Sequence, residues 1–283
     1  MNHSDDSRAL ERSTETYPVV QRGGIRMFRK VSHGTAGMLA EVGRHGYFLR
    51  DIGRAFGDPA TYLRETIRQM RRIGVDSAPL AIIVAAFIGA VIAMQTRYQL
   101  FPGVELSLVG LATRMIVVLE LGPLLTALVL TGRVGARMTA EIGTMRVTEQ
   151  IDALETLAFD PVAFLVGPRL LAALVMLPVL TIFANAMGVY SGFLAGTMLT
   201  GIPEADFIEG LRLGFTPFQV VYSLIKSVFF GAAIAINCSY QGYVTTAGAE
   251  GVGRATARAV VITSVVILVI DALTAVILAP LLQ

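Results

Sequence analysis

Long apolar runs dominate the chain after residue 76, and five of them are long enough to cross a lipid bilayer. A hydrocarbon core of about 30 Å requires about 20 apolar residues in a helix. The five runs occupy about residues 77–95, 106–132, 162–199, 216–240 and 257–282. Only helices and closed barrels satisfy their backbone hydrogen bonds in lipid, and these runs lack the strict alternation of barrel strands. The pattern therefore predicts an all-α polytopic membrane protein with about five transmembrane helices.

The composition supports this prediction and divides the chain into three segments. Of 283 residues, 54% are hydrophobic and 16% are charged, whereas soluble proteins carry about 25% charged residues. Residues 1–24 are polar and are expected to be disordered. Residues 25–76 are mixed and are expected to form a cytoplasmic or interfacial helical segment. Residues 77–283 are expected to form the transmembrane domain.

The basic residues orient the predicted helices, because cytoplasmic loops of membrane proteins carry an excess of Lys and Arg. Of the 23 Lys and Arg residues, 13 lie within residues 1–76. With the N-terminus in the cytoplasm, the inner segments also contain Arg133, Arg137, Arg146, Arg169, Arg254 and Arg258. The outer loops then contain only Arg97 and Arg212. The sequence therefore predicts a multi-pass protein with its N-terminus in the cytoplasm and its C-terminus, after five crossings, outside.

A basic amphipathic helix is predicted just before the first span. Leu63, Ile67 and Met70 share one helical face, with Ile73 at its edge. The arginines of this segment lie elsewhere on the helix, at Arg64, Arg68, Arg71 and Arg72. A basic amphipathic helix beside a span is typical of the membrane interface. The alternative is an ordinary cytoplasmic helix that packs on the protein's own surface.

A further helix is predicted over residues 141–158, in the inner loop between the second and third spans. Its apolar residues recur at helical spacing, as Val147, Ile151, Leu154 and Ala158. Its acidic residues form a second stripe, Glu149, Asp152 and Glu155. A short amphipathic helix can dock into a groove of a soluble partner. It can also pack on lipid headgroups, although an acidic face suits anionic lipids poorly.

Three ionisable residues, Glu120, Lys226 and Asp271, lie inside predicted spans. Each charge at mid-bilayer costs at least about 2.5–3.5 kcal/mol on insertion scales, so such groups face protein or water. Pairing Lys226 with one of the two carboxylates is the expected solution, and either a protonated carboxyl or Arg114 balances the second. The three form either a polar network beside a transport path or a static network that holds the helices together.

Small residues recur every four positions in the third run. They are Ala184, Gly188, Gly192 and Gly196. This spacing lets two helix backbones approach closely. The contact is expected within the subunit, with contact between two subunits as the alternative.

Three segments of the sequence carry a resemblance to a known family. They are Glu120-Leu121-Gly122-Pro123, Gly132-Arg133-Val134-Gly135-Ala136 and the continuous stretch of residues 141–154. Together they closely resemble the MlaE/YrbE permeases, the membrane subunits of Mce-associated ABC transporters. Weaker similarity extends from about residue 58 to the end and includes residues 226–230 and 241–243. Some members of the family carry a basic residue just before the glutamate, where this chain has Leu119.

The resemblance implies a dimeric permease, either a homodimer or a pair of paralogues, in the bacterial inner membrane. Its expected partners are a cytoplasmic ABC ATPase dimer, an MCE-domain substrate-binding protein and a small STAS-type regulator. The substrate is expected to be a lipid, a phospholipid by analogy with the family, and no nucleic acid is involved. The helix at 141–158 would be the coupling helix that contacts the ATPase. Its expected contact residues are Glu141, Arg146, Glu149, Gln150, Asp152 and Glu155.

The chain is expected to be a transport subunit without catalytic residues, cofactor or metal site of its own. Its only lysines, Lys30 and Lys226, do not end a Gly-x-x-x-x-Gly-Lys-[Ser/Thr] motif, so ATP and Mg²⁺ are expected on the partner ATPase. An ion-coupled secondary transporter that uses Glu120, Lys226 and Asp271 is the alternative function. The odd number of spans and the lack of a clear inverted repeat argue against it.

Overall fold

The computed structural model describes residues 59–246 and 248–278, with side chains from Leu63 onward. Three of the predictions lie wholly or partly outside these residues. They concern the disorder expected of residues 1–24, the first part of the segment 25–76, and the C-terminus beyond residue 278. The fold class is confirmed, because every regular element of the described residues is helical and five helices are long and apolar enough to cross a membrane.

Eight helices follow one another along the described chain. They are α1 (Pro59–Met70), α2 (Ala78–Gln99), α3 (Ser107–Val147), α4 (Gln150–Thr156), α5 (Pro161–Leu199), α6 (Glu204–Arg212), α7 (Pro217–Tyr243) and α8 (Gly248–Leu278). A π-helical turn, Arg71–Val75, leads from α1 toward α2. The candidate spans are α3, α5, α7, α8 and a first span that runs from Leu63 to Gln99. Helices α1 and α4 and the connection from α7 to α8 lie at one end of the bundle. We call it the basic end.

The segment predicted as one helix, 141–158, is divided in the structure, and that prediction is wrong. Residues up to Val147 continue α3, and α4 begins only at Gln150. Glu149 adopts a left-handed backbone conformation with φ of 60°, which breaks the helix between the two parts. Ala158, with φ of 61°, lies beyond the end of α4. The apolar residues before and after Glu149 therefore do not form one continuous helical stripe.

Helix α6 was not predicted, because its segment was assigned to an outer loop. Pro203 precedes it, and Glu204 and Asp206 stand in its first turn, where acidic residues favour a helix N-terminus. Its Phe207 is fully buried in a cluster with Ala93, Val109 and Ile202. This cluster holds α6 against the beginning of α3 and the end of α2, opposite the basic end.

A capping residue and a proline begin helix α5. Asp160 caps this helix, and its carboxylate accepts hydrogen bonds from the backbone N–H groups of Val162 and Ala163 at 3.0 and 3.2 Å. Thr216 precedes α7 and Pro217 in the same way, but its side chain makes no capping hydrogen bond. Proline at the first helical position is sufficient to begin α7, because its fixed φ suits a helix.

The small residues of α5 pack within the subunit, against α2, α3 and α6. A Cβ atom on Gly89 of α2 would lie 1.8 Å from the carbonyl oxygen of Gly188. A Cβ on Gly192 would lie 2.6 Å from Thr113, and one on Gly196 would lie 2.9 Å from Phe207. The Ser191 hydroxyl also donates to the carbonyl oxygen of Ala86 at 2.7 Å. Helices α2 and α5 therefore approach at backbone distance.

We predict that Gly89→Ala destabilises the protein, because the new methyl group meets the α5 backbone rather than a movable side chain. Overpacking of this kind costs about 1–3 kcal/mol. Gly253→Ala in α8 is the matched control, since a Cβ there meets nothing within 4 Å. Thermal unfolding in detergent should show a lower midpoint for Gly89→Ala and an equal or higher midpoint for Gly253→Ala. Equal midpoints for the two variants would contradict the packing described here.

Candidate functional site

Lys226 lies between two carboxylates in the middle of the bundle. Its Nζ is 2.7 Å from Oε2 of Glu120 and 2.6 Å from Oδ1 of Asp271. Its side chain is 0% exposed, whereas the side chains of Glu120 and Asp271 are 44% and 16% exposed. The ring of Tyr222 lies 5.1 Å from Nζ, at a cation–π distance. This ion triad of Glu120, Lys226 and Asp271 joins α3, α7 and α8.

The local sequence of α3 explains how Glu120 reaches the lysine. Glu120 lies in a π-helical turn, Ile116–Leu121, and turns of this kind are frequent at functional sites. Pro123 lacks the N–H group that would bond to the Leu119 carbonyl in a regular helix. That carbonyl oxygen instead accepts a hydrogen bond from Lys226 Nζ at 3.3 Å. The Gly122-Pro123 pair thus exposes a backbone acceptor beside the carboxylate.

A polar contact extends from the triad toward α5. A Cβ on Gly122 would lie 1.8 Å from Oδ1 of Asn185, so glycine is required for this close approach of α3 and α5. The amide of Asn185 donates to the Ser223 hydroxyl at 2.9 Å, one turn before Lys226 on α7. Polar groups from four helices therefore meet at this level of the bundle. Asn185 and Ser223 were not predicted as site residues. Their only signal in the sequence was that each is a polar residue within an apolar run.

Arg114 is bonded elsewhere and does not supply the second positive charge. Its guanidinium donates to Oε1 of Gln219 at 3.0 Å and to the Leu213 carbonyl at 2.8 Å, and it stacks on Phe215. Arg114 therefore ties the connection from α6 to α7 onto α3. The triad itself therefore contains two carboxylates and one ammonium group. Glu120 is the more exposed of the two carboxylates and is where a proton, water or another chain can reach the triad.

The acidic residues of the predicted coupling helix are exposed at the basic end. Glu149, Gln150 and Glu155 face outward, while Ile151 is fully buried and anchors α4 to the bundle. Leu157 and Phe159, which follow α4, are large exposed apolar residues. The surface formed by α4 and these two residues therefore combines negative charge with apolar side chains.

Arg146 and Asp152 fix the position of α4 rather than extending its free surface. An Arg146 nitrogen lies 2.6 Å from the Asp152 carboxylate across the turn at Glu149. The same guanidinium lies 5.7 Å from the ring centroid of Tyr243, at the end of α7. These contacts connect α3, α4 and α7. Asp152 therefore differs from Glu149 and Glu155, because its charge is already paired.

Glu141, predicted as one of the coupling residues, lies on α3 and not on α4. Its carboxylate contacts Arg137 at 2.9 Å, Arg169 of α5 at 3.4 Å and Arg72 at 3.5 Å. Its position at the centre of an arginine cluster separates it from the exposed α4 surface. The i, i+4 spacing of Arg137 and Glu141 was a visible signal for part of this cluster. The contributions of Arg72 and Arg169 come from other helices and could not be read from spacing.

The basic residues of α1 divide between two faces. Arg64, Arg68 and Arg71 are exposed together with Leu63 and Ile67, whereas Arg72 turns toward Glu141. The inward face of the segment carries Thr66, Gln69 and Ile73, which are buried. Ile73 therefore belongs to the inner face and not to the predicted outer one. The outward face combines apolar and basic side chains, as a helix at a membrane surface does.

The fold defines the class of the protein. Five helices long and apolar enough to cross a membrane, with a charged triad between three of them, define a polytopic membrane protein with an intramembrane ionisable site. The sequence matches the family Permease MlaE over residues 66–277, about three quarters of the chain. The chain belongs to this family.

Several relatives support the assignment. A "Probable ABC transporter permease protein" of Rickettsia prowazekii is 41% identical over 215 residues, covering 75% of this chain and 82% of the relative. The "Intermembrane phospholipid transport system permease protein MlaE" of Haemophilus influenzae is 33% identical over 233 residues, covering 81% and 88%. The chloroplastic protein TRIGALACTOSYLDIACYLGLYCEROL 1 of Arabidopsis thaliana is 35% identical over 210 residues, covering 74% and 59%.

We predict that Lys226→Met lowers the amount of folded protein in the membrane, because it leaves two carboxylates without their cation. Breaking a buried ion pair by removing one partner costs about 3–5 kcal/mol. Adding Asp271→Asn should restore more folded protein than adding Glu120→Gln, since Asp271 is the less exposed carboxylate. Membrane abundance and the thermal midpoint measure the effect. An Lys226→Met variant as abundant and stable as the original would contradict the buried pairing.

Proposed function

We propose that this chain is the permease subunit of an ABC-type transporter that moves phospholipid. It works as a dimer, with a separate cytoplasmic ATPase and an MCE-domain protein. The family and the names of its relatives support a transport role, and one of those names specifies phospholipid. The exposed acidic surface of α4 is the observation that carries the coupling to an ATPase. In this proposal the basic end faces the cytoplasm and the membrane is the bacterial inner membrane.

The position of α4 suits a coupling element. The helix lies directly between the spans α3 and α5. Its buried Ile151 and the contact between Arg146 and Asp152 attach it to the bundle. A force on α4 would therefore reach α3 and α5 without being absorbed by a long loop. Its exposed glutamates and the apolar residues Leu157 and Phe159 provide the mixed surface that docking into a groove requires.

Two apolar grooves beside the triad supply surfaces for lipid. One lies between α3, α5 and α6, and Val118, Val189 and Phe193 line it together with the polar Asn185. The other lies between α7 and α8, where Ile225 and Ile270 neighbour Lys226 and Asp271 in sequence. In the proposed dimer, acyl chains and the second subunit would cover these surfaces. The half-exposed Glu120 would then meet the lipid path.

The same triad is the observation that favours the alternative function, an ion-coupled secondary transporter. Carboxylates inside membrane spans that change partners can bind and release protons or cations. The two functions differ in their energy source. Lipid transfer by the reconstituted complex that requires ATP and persists without an ion gradient supports the ABC-type transporter. Transfer that follows an imposed proton or sodium gradient without ATP would support the alternative.

We predict that Glu149→Lys combined with Glu155→Lys releases the ATPase. A groove of the ATPase that accepts the acidic α4 is basic, so the two new lysines would be repelled by it. Asp152 is left unchanged, since its replacement would also break the contact with Arg146. Co-purification of the ATPase polypeptide with a tagged permease measures the effect. It should fall by about tenfold or more, the change expected from losing two favourable charge contacts.

Glu204→Lys combined with Glu209→Lys is the matched control. Both glutamates are exposed on α6, opposite the basic end, so the double variant has the same change in net charge. It should retain the ATPase. Retention of the ATPase by the α4 variant, with normal lipid transfer, would show that α4 is not the docking element. Equal loss from both double variants would also contradict a role specific to α4.

A further inference from the structure

A separate pocket lies at the basic end, between α1, the start of α2 and the inner part of α3. It is distinct from the ion triad, from both apolar grooves and from the exposed face of α4. Its charged lining consists of Arg72, Asp76, Arg133, Arg137 and Glu141, to which Ser77 and Gln69 add uncharged polar groups. The three arginines of this lining come from separate segments, and no pattern in the sequence predicted that they would meet. The pocket is therefore a cluster of charges that the proposed function does not use.

The pocket carries an excess of positive charge. Three of its lining residues are arginines, and Arg169 reaches Glu141 from α5 behind them at 3.4 Å. These four guanidinium groups stand against three carboxylates, those of Glu141 and Asp76 in the lining and that of Glu65, which lies near enough to attract Arg169. Glu141 already contacts three of the four guanidinium groups. One carboxylate cannot saturate three planar groups with five donors each, so donors remain available to an anion.

Two buried polar groups, one in the lining of this pocket and one behind it, have no hydrogen-bond partner among the described residues. The Ser77 hydroxyl lines the pocket, is almost fully buried and makes no hydrogen bond within the described chain. Ser77 stands at the cap position of α2, where its oxygen would normally accept from the second or third N–H, but the second helical residue is Pro79. Nε of the buried Arg169 also lacks a partner. An O–H donor and guanidinium donors around one cavity match the oxygen atoms of a phosphate.

The pocket lies where a lipid headgroup would lie. Arg133 lies three residues after the apolar stretch Gly122–Leu130 of α3, so the pocket begins near the end of the apolar part of this span. The exposed Leu63 and Ile67 offer apolar surface on the outward face of α1, whose inward face lines the pocket. Basic pockets between membrane helices are suited to anionic headgroups.

We propose that this pocket binds the phosphate of an anionic phospholipid from the leaflet at the basic end. Arg72, Arg133 and Arg137 hold the phosphate oxygens, and the Ser77 hydroxyl donates to one of them. The bound lipid would neutralise the excess charge and connect α1 to α3. This assignment does not depend on ATPase docking or on which lipid is transported.

Binding to the purified full-length chain in detergent tests the proposal, with three probes. They are short-chain phosphatidylglycerol, short-chain phosphatidylcholine and inorganic phosphate, which separate an anionic headgroup from a neutral one and from free phosphate. Phosphatidylglycerol should bind about tenfold more tightly than phosphatidylcholine, because phosphatidylcholine has the same phosphate but brings the positive charge of choline to a pocket that is already basic. Inorganic phosphate should bind more weakly than phosphatidylglycerol, since it lacks the apolar contacts of the lipid.

Arg72→Gln combined with Arg137→Gln should lower the affinity for phosphatidylglycerol by about tenfold, because two of the phosphate donors lose their charge. Both side chains are partly exposed, so the change leaves the apolar core intact. Arg254→Gln is the matched control at the same end, where Arg254 pairs with the exposed Glu250 at 3.3 Å. It should change the affinity by less than about twofold, as expected of an exposed pair.

Glu141→Gln provides a test that misfolding cannot imitate, because it should raise the affinity. It removes the carboxylate that competes with the phosphate for three guanidinium groups. Equal binding of phosphatidylglycerol and phosphatidylcholine by the original chain would overturn the proposal. Inorganic phosphate that binds as tightly as phosphatidylglycerol would assign the pocket to free phosphate instead. An affinity unchanged by both the double arginine variant and Glu141→Gln would place the lipid elsewhere.

Discussion

The burial of one ammonium group constrains the arrangement of three spans. Lys226 has no exposed surface, and a charge inside an apolar bundle is tolerated only with partners at hydrogen-bond distance. Its two partners come from α3 and α8, so neither helix can slide or rotate about α7 without separating opposite charges. The π-helical turn at Glu120 and the Gly122-Pro123 pair shape α3 to meet this requirement. The close contact of Gly122 with Asn185 then brings α5 to the same level.

Helix α3 connects this constraint to the basic end. It continues from the triad at Glu120 to Val147, which is 27 residues and about 40 Å of helix at 1.5 Å per residue. Arg146 holds α4 at the end of α3. Under the proposed function, a displacement of α4 by an ATPase would move α3 and so shift Glu120 against Lys226. Because the triad has one carboxylate in excess, the free energy of such a shift would depend on whether Glu120 binds a proton or a water molecule.

The sequence was sufficient for features that depend on local pattern and on the energy of burial. Five apolar runs predicted the spans, and the cost of an unpaired charge predicted that Lys226 would meet Glu120 or Asp271. Pattern alone could not show that it meets both, because this depends on how three helices pack. The break at Glu149 was missed because the apolar and acidic spacings continue through it. The arginine cluster around Glu141 and the packing of α6 on α3 also depend on contacts between distant segments, for which spacing along one helix carries no information.

Solid-state NMR of the protein in lipid bilayers tests the ion triad most directly. The chain has only two lysines, Lys30 and Lys226, so ¹⁵N-lysine labelling gives two side-chain signals, and Lys226→Arg identifies the one from the triad. Samples with ¹³C-labelled carboxyl groups of either Asp or Glu then report its neighbours. The triad predicts that the Lys226 signal is dephased by both labels, as direct contacts of 2.6 and 2.7 Å require. A Lys226 signal that neither label dephases would contradict the central claim.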